Sequence, residues 1–99
     1  MRGKYVIAGI GHTAFGKLGL DTVTLNTLAC QAALQDAGVE KGAVDALFVK
    51  GPTSSKELLY GQKVSEALGI QPRWGGAWDQ GGAANITLID MAMMAIETG

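Results

Sequence analysis

The sequence predicts an α/β chain built on a parallel sheet, and three observations carry that expectation. Two short runs rich in β-branched and apolar residues, Tyr5 to Ile10 and Ala46 to Val49, and an aromatic stretch near Arg73 to Trp78 have the length of strands. Longer segments with apolar residues at helical spacing follow each of them. Glycines stand at most of the junctions. Strands that alternate with helices imply parallel pairing through crossovers. The predicted order is β-α-β-α-β-α, with no internal repeat, linker or low-complexity segment.

Tyr5 to Ile10 is nearly continuous in apolar residues and ends in glycines, as a buried parallel strand does. Gly11 to Gly19 reads as a loop with glycines at 11, 16 and 19. A helix is expected from about Thr24 to Ala37. Asp21, Thr22 and Thr24 are its candidate N-caps, and Gly38 is its C-terminal stop. Leu25, Leu28, Ala29 and Ala32 repeat on one face, with Thr27, Gln31 and Gln35 opposite. Val39 to Val44 forms a turn before the second strand.

Ser54-x-x-Glu57 has the form of a capping box, so a second helix is expected from about Ser55 to Leu68, ended by Gly69. Tyr60, Val64, Ala67 and Leu68 share one of its faces. Ile70-Gln71-Pro72 leads to the third strand, and a last helix runs from about Ala84 to Glu97. From Leu88 to Ile96 that helix has no polar face, with Asp90 its only charge. A helix apolar all round belongs in the interior of a larger protein. Three strands and two other helices do not suffice to cover it, so further protein or another subunit is expected around it.

The chain has 99 residues, a formal net charge of −1 and 47% hydrophobic residues, a globular composition. Its lysines are scattered and form no basic run, which argues against nucleic acid as a partner. A single cysteine, Cys30, excludes an internal disulfide and suits a reducing, cytoplasmic setting. Met1 to Ala8 superficially resembles a secretory signal, but its apolar stretch is short and meets Gly9, Gly11 and His12 without a cleavage-type site. No run approaches the roughly 18–20 apolar residues of a membrane span.

Gly9-x-Gly11-x-x-Ala14 matches a permissive dinucleotide fingerprint after a predicted strand. The helix that should open at the second glycine begins about ten residues late. The second strand ends in Phe48-Val49-Lys50, without the acidic residue that holds a ribose. His12 is the only histidine and sits in a loop after the first strand, where α/β sites gather. Cys30 lies on the apolar helix face, with nothing nearby to lower its thiol pKa. One histidine, one cysteine and scattered acids give no metal-ligand spacing.

Gly81-Gly82-Ala83-Ala84 opens the last helix. Small residues let a strand-to-helix turn pack closely. The N–H groups of such a helix start can also hold a carbonyl oxygen, a carboxylate or a developing oxyanion. Asn85 caps the helix or touches a ligand there. Gly81, Gly82, Ala83, Ala84, Asn85 and His12 are therefore the candidate substrate-binding residues, and no residue is assigned as catalytic.

Three stretches resemble the thiolase superfamily, most of all its sterol-carrier-protein-type, lipid-transfer-like branch. They are Val6 to Lys17; Ala32-Ala33-Leu34-Gln35-Asp36-Ala37-Gly38 with Val44-Asp45-Ala46-Leu47; and Gly81-Gly82-Ala83-Ala84 with the helix to Gly99. The resemblance implies that residues 1–99 are the N-terminal β-α-β-α-β-α portion of a layered thiolase-like fold, in which two similar halves pack around a buried central helix. Thiolases carry their catalytic cysteine at the start of that helix, a position that falls here at Gly82. No acyl-cysteine can form on glycine. Some lipid-transfer-branch relatives also lack this cysteine, and are aldolases that cleave a β-hydroxyacyl-CoA beside a zinc-ribbon/OB-fold partner protein.

The resemblance thus implies carbon–carbon bond chemistry on a coenzyme A thioester as substrate, with no covalently bound cofactor and a homodimer as the assembly. The family's histidines, second cysteine and aldolase-type tyrosines lie in later sequence than these 99 residues. Two alternatives stand beside this reading. One is a non-catalytic structural or binding subunit on the thiolase scaffold. The other is a small nucleotide-binding domain.

Overall fold

The computed structural model describes residues 3–16, 19–52, 58–79, 81 and 83–99. Helix α1 (Thr22–Ala37) is followed by a 3-10 turn (Lys41–Ala43), strand β1 (Ala46–Lys50), helix α2 (Tyr60–Leu68), strand β2 (Trp74–Trp78) and helix α3 (Ala84–Thr98). β1 and β2 pair in parallel with Ala46 opposite Trp74 and Lys50 opposite Trp78. The result is a mixed α/β unit with three helices and a two-stranded parallel sheet among the described residues.

Local chemistry sets the helix ends. Asp21 caps α1, its Oδ1 accepting the Thr24 amide at 2.8 Å. Of the three candidate caps the carboxylate prevails, and the helix starts at Thr22 rather than Thr24. Gly38 and Gly69 close α1 and α2 in left-handed geometry, and each returns its N–H to carbonyls of the last turn. The expected box of Ser54 and Glu57 lies outside the described residues. Leu58 and Leu59 precede α2 rather than belong to it, and Leu59 has φ of 53°, so the helix begins at Tyr60 and not near Ser55. A left-handed residue breaks the helical hydrogen-bond ladder, which explains the later start.

The sheet carries a helix on each side. The face of Leu47, Gly75 and Ala77 meets α2, and the face of Ala46, Phe48 and Trp74 meets α3. α1 packs against α2. The buried core lies on the α2 side: Val49, Tyr60, Val64, Leu68 and Ile70, with Val23, Cys30, Val44 and Leu47 packed around it. Val64 is completely enclosed. Gly61 allows α2 to come close to the strand, because a Cβ there would stand 3.0 Å from the Gly76 backbone.

The expected strand from Tyr5 to Ile10 is not formed. The segment has no strand partner among the described residues, and Val6, Ile7 and Ile10 are 73–85% exposed. Its glycines lie on α1 instead. A Cβ at Gly9 would strike the Ala33 carbonyl at 2.5 Å, and one at Gly11 the Ala29 carbonyl at 2.4 Å. Asp36 Oδ2 accepts the Ile10 amide at 3.0 Å. The β-branched run stays without strand partners because its backbone is pinned against a helix, away from the sheet. At its start, Lys4 and Tyr5 meet Glu97 of α3.

Helix α3 has the extent expected but is not enclosed by the described residues. Ala84 is its only fully buried residue, whereas Ile86, Ile89, Met94 and Ile96 are exposed. No helix of the described residues is long and apolar enough to cross a membrane.

Candidate functional site

The turn into α3 begins where β2 ends. Asp79 Oδ1 accepts the Gly81 amide at 3.2 Å, and Gly81 takes φ of 62°, a conformation glycine adopts without strain. The Ala84 amide then donates to the Gly81 carbonyl at 3.2 Å, and Thr87 N–H donates to Ala83 O at 3.1 Å. Ala84 is fully buried, so a larger side chain has no room at that position. Gln80 and Gly82 lie outside the described residues.

Among the described residues no side chain caps α3. This sets it apart from α1, whose N-terminus is occupied by Asp21. Hydrogen bonding from Thr24, through its side chain first and its amide second, holds the Asp21 carboxyl below the usual carboxylate range. A helix start without a side-chain cap leaves its first N–H groups to backbone, water or a ligand. Asn85 does not cap the helix. It is exposed and lines a groove with Leu88, Phe48 and the start of α1.

The structure brings Gly81, Ala83, Ala84 and Asn85 into one turn. His12 is placed elsewhere: its Nδ1 lies 2.8 Å from the Thr13 carbonyl, and its ring stacks on Phe15 with centroids 5.2 Å apart. Its partners are sequence neighbours, not the α3 turn. Likewise, Gly9 and Gly11 serve contact with the side of α1. No helix opens at Gly11, and the helix that follows has its N-terminus filled by a carboxylate. The chemistry of a pyrophosphate cradle needs the opposite arrangement.

Cys30 is half-buried, and burial pushes its thiol pKa up. It is a neutral thiol near pH 7, in keeping with its place on an apolar face. Among the described residues no three His, Cys, Asp or Glu side chains gather as a metal site.

One polar cluster escaped the sequence reading. The Tyr60 hydroxyl donates to the Thr22 carbonyl at 2.9 Å and accepts from Asn26 Nδ2 at 2.5 Å. The residues are more than 30 positions apart, so no local pattern announces them. The only signal was Tyr60 on the apolar face of α2, where a phenol needs a partner.

No protein-family model matches the chain, and no curated protein matches it.

Proposed function

We propose that the chain is the N-terminal portion of a thiolase-like enzyme of the cysteine-less, lipid-transfer type, which makes or cleaves a carbon–carbon bond in an acyl-CoA. In this reading the turn from Gly81 to Asn85 lines the substrate pocket. Backbone N–H groups at the start of α3 receive a carbonyl oxygen of the thioester, and the acid and base come from other sequence. A retro-aldol cleavage of a β-hydroxyacyl-CoA suits a site with glycine where thiolysis requires a nucleophile. The setting is cytoplasmic, and the assembly a homodimer with a zinc-ribbon/OB-fold protein as a further partner.

The observation that supports the reading best is the small-residue start of α3, which no side chain of the described residues caps, at the end of a parallel strand. Such a site offers oriented donors in a place where α/β folds bind ligands. Titration with a β-hydroxyacyl-CoA, followed by amide NMR, tests it. Gly81, Ala83, Ala84 and Asn85 should shift together, and NAD should leave Gly9 to Phe15 unmoved. Shifts confined to other regions, or none at saturating thioester, would contradict the proposal. Turnover is not expected from these 99 residues.

The outward apolar face of α3 favours a second reading, a structural subunit that uses the same scaffold for assembly. In that case the chain associates but the thioester leaves the turn unperturbed.

A further inference from the structure

We draw no further inference here: the strongest candidate, the open edge of β2 at Gly75 and Ala77 beside the cleft of about 720 Å³ between that strand and α2, carries nothing because nothing in the structure shows what covers it.

Discussion

The two faces of the sheet are covered to very different degrees. On the α2 side, Val49, Tyr60, Val64, Leu68 and Ile70 close into a core. On the α3 side, a helix more apolar than α2 leaves Ile86, Ile89, Met94 and Ile96 in water. Hydrophobicity therefore does not decide which helix is buried. α2 has its apolar residues on one stripe and a glycine that lets it sit close to the sheet. α3 is apolar in every direction, and a two-stranded sheet offers it only one surface. The α2 face holds this unit together. The α3 face is the one the described residues leave open.

Substitutions can break this contrast. The largest effect is expected for Leu68→Ala, which opens a cavity in the α2 core and should cost about 3 kcal/mol in chemical denaturation. Gly11→Ala should follow, at roughly 1–3 kcal/mol, because its Cβ would overlap the α1 backbone at Ala29 and Ala33. A loss within error there would mean that the N-terminal segment does not rest on α1.

Asp21→Ala should destabilise less, and in a pH-dependent way. The Asp21 carboxyl has a depressed folded pKa, so its contribution is present above the unfolded value and is lost as pH falls through the folded one. Wild type and variant should thus differ at neutral pH, begin to converge near pH 3.8, the ordinary value for this group, and meet only below its depressed folded value. A difference that persists in acid would assign the effect to something other than the charged cap.

The smallest effect is expected at Ile86→Ala, within about 0.5 kcal/mol for a residue 67% exposed. A loss of stability that grows with protein concentration would instead show α3 to be covered by a second copy.

The same contrast explains what could be read in advance. α1, β1, β2 and α3 lie within about two residues of expectation, since Asp21, Gly38, Gly69 and the small-residue turn are local signals. The start of α2 was misplaced because nothing in the pattern foretells that Leu59 turns left-handed. Tyr5 to Ile10 has the composition of a strand, but strand formation requires a partner edge, and here Gly9 and Gly11 commit the backbone to α1. The α3 turn was legible because its residues are consecutive. His12 was not brought to it, and the cluster of Thr22, Asn26 and Tyr60 was invisible because it is assembled from two separate elements.

Strand alternation puts Trp74 and Trp78 on the same side of β2, and both are nearly half exposed. They are the only two tryptophans in the chain, and Trp74 borders the cleft beside Ala92 and Ile96 of α3. The α2 core has none. Intrinsic tryptophan fluorescence therefore monitors the exposed side of β2, with Trp74 also bordering the cleft towards α2. A blue shift on mixing with a candidate partner would register coverage of that face directly, with no label attached and no residue changed.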